Sequence, residues 1–310
     1  MARNLRNFNP KKVSEQKRHK TNTKDTLRQS PLQKARTGMV YVVLILWSCV
    51  ILLPVIGVLL SSFNSSNQNY MTFDEFKFGF ENFKYLFRED KGIYFGGWLI
   101  NSLFVSVYTM IITVVVVSLT GYAYSRFRFK GRRVSLMTIM LIQMVPSISA
   151  LIAIYIINEL LNQTIKILPL ITLIIIYSGG SIAGNTFVLK GYLDSISTEI
   201  DDSAKIDGCG NFKTYIRIIM PLARPMLMII ALWSFIGPFG DVILPKILLN
   251  SPRTYTLPVG LYSLLTANSQ REIFQPVYAA GALITAIPIT TLFIYSQRHM
   301  VSGLTTGGVK

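Results

Sequence analysis

The largest group of carboxylates outside the termini is a short acidic run. Glu199, Asp201, Asp202 and Asp207 fall within nine residues, interleaved with Ser203 and Ala204 and followed by Gly208 and Gly210. Neighbouring carboxylates can perform acid–base work, but such work needs a nucleophile, a histidine or a metal-ligand set beside them. None accompanies these. The only histidines, His19 and His299, stand far away near the chain ends. No Gly-x-x-x-x-Gly-Lys-Ser/Thr run is present to cradle ATP phosphates, so the chain is read as non-catalytic, without metal or cofactor. What the acidic run can do is start a helix. Thr198 followed by Asp201 three residues later reads as a capping box, and acids in a first turn meet the positive end of the helix dipole. Ile200, Ser203, Ala204 and Asp207 recur at spacings of three and four, which predicts one small, shallow face. Gly208 and Gly210 then end the helix. A second piece with Phe212, Tyr215, Ile216 and Ile219 on one side leads to Pro221. The region 189–221 is thus expected to be a helix–turn–helix, and a connection of this length calls for a task or a partner.

The elements that flank this loop are dictated by charge spacing. Apolar residues make up 51% of the 310 positions and charged ones 15%, with mean hydropathy +0.43, where a soluble chain carries about 25% charged residues. Charges are missing from Thr37 to Phe73, Gly92 to Ser125, Val134 to Asn158, Ile167 to Leu189, Pro225 to Gly240 and Ile273 to Gln297. A bilayer span needs roughly 20 mostly apolar residues. The expectation is an all-α membrane protein with six transmembrane helices, near 39–61, 98–124, 134–157, 168–188, 222–244 and 277–297. A soluble core of the same helices would require polar faces that these windows lack. Three regions follow: a basic tail at 1–37, a transmembrane domain at 38–297, and a C-terminal tail at 298–310. Aromatics such as Phe76, Phe78, Phe80 and Phe83 in the 62–97 stretch predict short interfacial helices.

The net charge of +16 suggests nucleic acid only until its placement is considered. If both ends face the cytoplasm, the cytoplasmic pieces hold 23 basic and 7 acidic residues, and the external pieces hold 8 of each. That asymmetry is the positive-inside pattern of membrane topology, with the tail before residue 37 and the cluster Arg126, Arg128, Lys130, Arg132 and Arg133 as its main contributors. Partnership with nucleic acid is therefore not expected, whereas contact of the basic tail with anionic membrane lipid is. Cys49 lies in the first span and Cys209 in the loop, so no disulfide is expected. The apolar run that opens near residue 38 is too long for a cleavable signal and should be retained as a span.

Polar groups within spans are functional candidates because unpaired ones are costly in hydrocarbon. Gln143 and Asn185 are the candidates for lining a pathway, with a bond between helices as the commoner explanation for Gln143. Asn101 and Asp241 are expected near outer ends, where water satisfies them. Pro146, Pro238 and Pro288 should kink or break their helices. An ion-coupled transporter would need buried ionisable residues, usually in repeated halves, and neither is visible. A membrane-embedded enzyme ranks lower still.

The stretch Glu199-Ile-Asp-Asp-Ser-Ala-Lys-Ile-Asp-Gly208, with Pro221 thirteen residues on, resembles the "EAA" loop of binding-protein-dependent ABC importer permeases, here with Asp202-Ser203-Ala204 in place of Glu-Ala-Ala. The C-terminal Val301-Ser-Gly-Leu-Thr-Thr-Gly-Gly-Val-Lys310, the run Gly237-Pro-Phe-Gly-Asp241, the pattern from Ala279 to Pro288 and Leu141–Pro146 are similar to the maltose and maltodextrin branch. The likeness covers about residues 38–310. It implies a type I importer permease on the bacterial cytoplasmic membrane with both termini inside, working with a second permease subunit, two ATPase subunits and an extracytoplasmic sugar-binding protein. The cargo would be an oligosaccharide, a maltodextrin or, alternatively, a galacto-oligosaccharide. It further implies that Glu199, Asp202, Ser203, Ala204, Asp207, Gly208 and Pro221 form an ATPase-coupling loop whose carboxylates meet basic groups. Ser302, Gly303, Leu304, Thr305, Gly307 and Gly308 would enter the ATPase interface, and the loop 247–276 would reach toward the binding protein.

Overall fold

A computed structural model describes residues 31–65, 76–89, 92–144, 147–165, 168–266 and 271–305. The chain forms two compact units, Met1–Gly57 and Val58–Lys310. Within the first, the described part is helical: α1 spans Pro31–Phe63, its C-terminal turns belonging to the second unit. Most of the predicted tail, residues 1–30, lies outside the described residues.

The second unit runs α2 (Glu81–Leu86), α3 (Phe95–Arg126), α4 (Arg132–Gln143), α5 (Ser147–Ile165), α6 (Pro169–Asp194), α7 (Glu199–Ile206), α8 (Asn211–Thr214), a π-helical turn (Tyr215–Ile219), α9 (Met220–Gly240), α10 (Ile243–Leu248), α11 (Leu257–Thr266) and α12 (Arg271–Thr305). Among the described residues, five helices are long and apolar enough to cross a membrane: Ala35–Phe63, Phe95–Arg126, Pro169–Asp194, Asn211–Gly240 and Gln275–Met300. Each contains one of the expected spans or most of it.

Two boundaries depart from expectation. The span predicted as one helix over 134–157 is two helices, α4 and α5, separated at Met144–Pro146. A proline lacks an N–H and disfavours the α region for the residue before it; Val145 and Pro146 themselves lie outside the described residues. The helix expected to reach residue 244 stops at Gly240, where Asp241 turns extended. Asp241 then caps the next element, its Oδ1 accepting from the Ile243 N–H at 2.8 Å. Its other oxygen accepts from the Tyr177 hydroxyl at 2.7 Å. So Asp241 is satisfied by protein rather than by the water expected for it. The same holds for Asn101, whose amide donates to the carbonyls of Arg253 at 3.2 Å and Tyr255 at 3.0 Å.

α3 is the central element, packing against α6, α9 and α11. It contributes to all three apolar clusters, through Trp98 beside Phe239, Leu257 and Leu261, Val105 beside Leu173 and Leu248, and Val117 beside Leu189, Ile219 and Ile230. Between these anchors runs a buried stripe of Ser102, Ser106, Thr109 and Thr113 at helical spacing. Small residues allow close approach of membrane helices, where lipid provides no hydrophobic drive for association. Side chains such as Ile100, Val115 and Trp233 stay exposed, as the lipid-facing surface of spans should. Near Phe95, Trp98 Nε1 donates to the Pro252 carbonyl at 2.7 Å and the Leu257 N–H donates to Ser102 Oγ at 2.7 Å. The segment 252–264 is thereby folded onto the core. On the 62–97 stretch lies one short helix, α2, and the Phe63 ring stacks on Phe78 and meets Phe80 edge-on and Phe83 at a tilt; residues 66–75, 90 and 91 lie outside the described residues.

Gly260 marks the tightest contact, because a Cβ there would sit 2.1 Å from the Trp98 ring. Gly260→Val is expected to lower stability by about 1–3 kcal/mol through overpacking. Gly96→Ala, with open space around it, should change it by less than about 0.5 kcal/mol. Thermal unfolding of the detergent-solubilised protein distinguishes the two.

Candidate functional site

The loop after α6 holds two short helices, α7 and α8, joined by a turn, and its internal bonding differs from the sequence reading. α7 carries Glu199, Asp201 and Asp202 in its first turn and Lys205 in its last, the arrangement that complements the helix dipole. No capping box forms. Thr198 occupies the N-cap position without a side-chain bond, and the Glu199 N–H instead reaches Ser197 Oγ at 3.3 Å. Asp201, the expected partner in the box, is directed inward. Gly208 has φ +77°, a left-handed conformation that costs any residue with a Cβ, and it reverses the chain after α7. Pro221 is the second residue of α9 and directly follows the π-helical turn Tyr215–Ile219, within a helical run that is continuous from Asn211.

The inward side of the loop is bound to α3 by residues at i, i+4 and i+8, hence on one helical face. Ser118 Oγ and the Tyr215 hydroxyl are 2.7 Å apart, and the Tyr122 hydroxyl donates to the Asn211 carbonyl at 3.3 Å. Arg126 Nε lies 2.8 Å from Asp201 Oδ2, with side-chain exposures of 7% and 9%. The same guanidinium donates to the carbonyls of Leu193 at 3.1 Å and Ile196 at 3.1 Å. One side chain thus joins the end of α3, the end of α6 and the first turn of α7. Alongside, Ser125 Oγ donates to Asp194 Oδ1 at 2.7 Å, and Lys190 pairs with the other Asp194 oxygen. Beneath lies the apolar cluster of Leu189, Leu193, Tyr215 and Ile219.

The outward side is differently composed. Glu199, Asp202, Ser203 and Ile206 follow i, i+3, i+4, i+7 and are all exposed, as are Asp207 and Gly208. Ile206 is 87% exposed, an apolar side chain standing among carboxylates. Asp202 pairs with Lys205 at 3.0 Å, and at 60–67% exposure such a pair adds little stability. Ala204 is buried and turned inward with Asp201, apart from the face expected to include it. The second piece likewise divides, with Tyr215 and Ile219 buried while Phe212 and Ile216 are exposed, rather than all four on one side. Between α3, α7 and α8 lies a cleft of about 310 Å³ bordered by Tyr122, Arg126, Asp201 and Asn211.

Other candidates lie elsewhere. Gln143, at the end of α4, rests against Gly184 of α6, where a Cβ would be 2.9 Å from its Nε2. Asn185 bonds within its own helix, to the Ser181 carbonyl at 2.9 Å. α12 continues unbroken through Ser302, Gly303, Leu304 and Thr305, so this part of the stretch read as a C-terminal tail is helical; Gly307 and Gly308 lie outside the described residues. Sequence reading missed Arg126, counted only as one cation in a cluster, and Ile206. For Arg126 the available signal was its place at the edge of a charge-free window, one helical face along from Ser118 and Tyr122.

Arg126→Leu leaves a buried carboxylate without its cation and is expected to cost about 3–5 kcal/mol. Arg126→Leu with Asp201→Leu should cost less than Arg126→Leu alone. A double-mutant cycle on unfolding of the purified protein measures the difference.

Comparison with known proteins places the geometry in a lineage. Residues 114–306 match the family model described as "Binding-protein-dependent transport system inner membrane component". The galactooligosaccharides transport system permease protein of Bacillus subtilis (strain 168) is 40% identical over 271 residues, 87% of this chain and 94% of that protein. The maltodextrin transport system permease protein of the same strain is 40% identical over 271 residues, 87% and 95% of the two chains. A maltodextrin transport permease of Streptococcus pneumoniae (strain ATCC BAA-255 / R6) is 39% identical over 274 residues, 88% and 95%. In fold, the chain is similar to a solved bacterial ABC transporter involved in the import of alginate, with TM-score 0.71 at 20% identity, over 87% of this chain and 98% of that one. With five apolar helices of spanning length and a loop knotted to them by Arg126, this multi-pass chain belongs to the binding-protein-dependent inner-membrane component family, the non-catalytic permease subunits of ABC importers.

Proposed function

We propose that this chain is one of two permease subunits of an importer that carries an uncharged oligosaccharide, a maltodextrin or galacto-oligosaccharide, into the bacterial cell. Both termini and the 195–219 loop face the cytoplasm, and α4 and α5 together complete a sixth crossing. Energy comes from a pair of ATPase subunits beneath the loop, and an external binding protein delivers the sugar. The observation that carries this reading is the two-sided loop. Its inner side is fixed to the ends of α3 and α6 by a buried guanidinium, and its outer side offers Glu199, Asp202, Ser203 and Ile206 to a partner. A surface hairpin needs no such anchor, whereas a part that carries force to the spans does.

Carboxylates around an exposed isoleucine suit a cleft with basic walls and an apolar floor, and Gly208 and Asp207 complete the edge that would enter it. Ala204 serves the inner side by letting α7 lie close to the span ends. Ser302–Thr305, with Gly307 and Gly308, would meet the ATPases from the end of α12. Gln143 and Asn185 stand at neighbouring levels of α4 and α6, where they could border the pathway. An uncharged cargo fits spans with almost no ionisable groups, since a charged one would need compensating charge in the bilayer. The curated relatives named for maltodextrin and galactooligosaccharides support the oligosaccharide class equally.

The test is reconstitution with the partner permease, the ATPase and the sugar-loaded binding protein, reading stimulated ATP hydrolysis. Asp202→Lys is expected to reduce stimulation at least about 10-fold, the order of one 1.4 kcal/mol interaction, with the chain itself still folded because Asp202 is exposed. Gly208→Asp should also weaken assembly, since it forces a Cβ into φ +77°. Normal stimulation in both variants would reduce the loop to a capped surface hairpin and overturn the coupling role.

A further inference from the structure

We infer that the N-terminal end of α4 is a binding site for the phosphate of an anionic phospholipid. Arg132, Arg133 and Lys190, with Phe129, Val134 and Leu136, border a cavity of about 530 Å³ beside the end of α6. The neighbouring carboxylate, Asp194, is taken up by Lys190 and Ser125. Neither Arg132 nor Arg133 comes within ion-pair distance of a carboxylate among the described residues, although Arg132 acts on Asp194 electrostatically from farther off. Nor does the helix benefit from them: they occupy its first turn, where the dipole opposes cations, with no acid nearby in that turn and no side-chain cap. Three cations, Arg132, Arg133 and Lys190, thus share the single carboxylate of Asp194, and the positive charge left over calls for an anion.

The apolar neighbours identify which anion. From Arg133 an exposed stripe continues along α4 through Val134, Met137 and Leu141, at 67%, 51% and 64% exposure and helical spacing. Among the described residues, no side chain of α4 is buried. Cations over a phosphate, with apolar side chains extending from them into the hydrocarbon, match the two ends of a phospholipid. The level is right as well, because the cavity lies where the charge-free window 134–158 begins and the span Pro169–Asp194 ends. Basic pockets at the ends of spans recognise anionic headgroups through this combination of charge and depth. A free phosphate would use the cations but not the stripe. The site stands apart from the coupling role proposed for the loop, and neither depends on the other.

The detergent-solubilised complex, titrated separately with phosphatidylglycerol and phosphatidylcholine, reports binding by native mass spectrometry. The wild type should take up phosphatidylglycerol in preference to phosphatidylcholine. Arg132→Gln with Arg133→Gln should weaken that binding by on the order of 10- to 30-fold, given two cations near the headgroup. Arg128→Gln with Lys130→Gln removes the same charge from exposed positions outside the cavity and should leave binding nearly unchanged. Co-elution with the partner subunits checks that each variant is assembled. Equal losses in both double variants, or no preference in the wild type, would overturn the site; the second result is what a partner protein covering α4 would produce. Displacement of the lipid by inorganic phosphate at comparable concentration would overturn the lipid assignment in favour of a free anion.

Discussion

Arg126 stands where the charge-free length of α3 ends, and its guanidinium is almost dry. A cation in that position is tolerated only if its charge is compensated, because uncompensated burial of charge is among the largest penalties in folding. Its Nε meets Asp201, and its two terminal nitrogens reach the last carbonyls of α6 and the connection beyond. Carbonyls at a helix end have no partner within the helix, so these contacts also settle a debt of α6. The planar fork of arginine makes this junction possible; a lysine offers a point charge and no such geometry. From that junction follow the inward turn of Asp201, the loss of the capping box, and the exposure of Glu199, Asp202 and Ser203 on the opposite side of α7.

A spanning helix and a surface helix are held here by different forces. In the bilayer, α3, α6 and α9 gain little from hiding apolar surface, so close approach over Ser102, Ser106, Thr109 and Thr113 has to supply the contact. At the water boundary the forces revert to those of soluble proteins, with buried Leu189, Leu193 and Ile219 beneath a roof of hydrogen bonds. The loop straddles the change. Its anchor is electrostatic and its bed apolar, which gives it one preferred position instead of a range. The outer face leaves Ile206 bare among carboxylates.

Much of this was legible in the sequence because the bilayer imposes one strong rule. Charge-free windows of spanning length gave the long helices to within a few residues at most ends, and Gly208 and Pro221 gave the turn and the entry to α9. What escaped has physical reasons. Hydropathy carries no information on local breaks, so the window 134–157 was read as one span where α4 ends and α5 begins. Local pairing rules place Asp201 with Thr198, three residues away; its real partner is 75 residues distant, and only the packing of α3 against the loop brings it there. Similarly, Asn101 and Asp241 were assigned to water because the carbonyls of Arg253 and Tyr255 and the Tyr177 hydroxyl come from distant segments. Ile206 was invisible for the opposite reason: exposure of an apolar residue in a short helix cannot be told from burial by its spacing alone.

If the Arg126 junction makes the loop and the span ends a single body, the distance between them should not change when the ATPases close. The direct measurement is pulsed electron spin resonance between labels at Ser203→Cys on α7 and Lys130→Cys beyond α3, in the assembled complex with Cys49 and Cys209 replaced by serine. The distance distribution should keep its centre and width between the nucleotide-free and ATP-bound states, and should broaden when Arg126→Gln is added. A shift between the two states with Arg126 in place would show that the loop moves against the spans, and would contradict transmission through this junction.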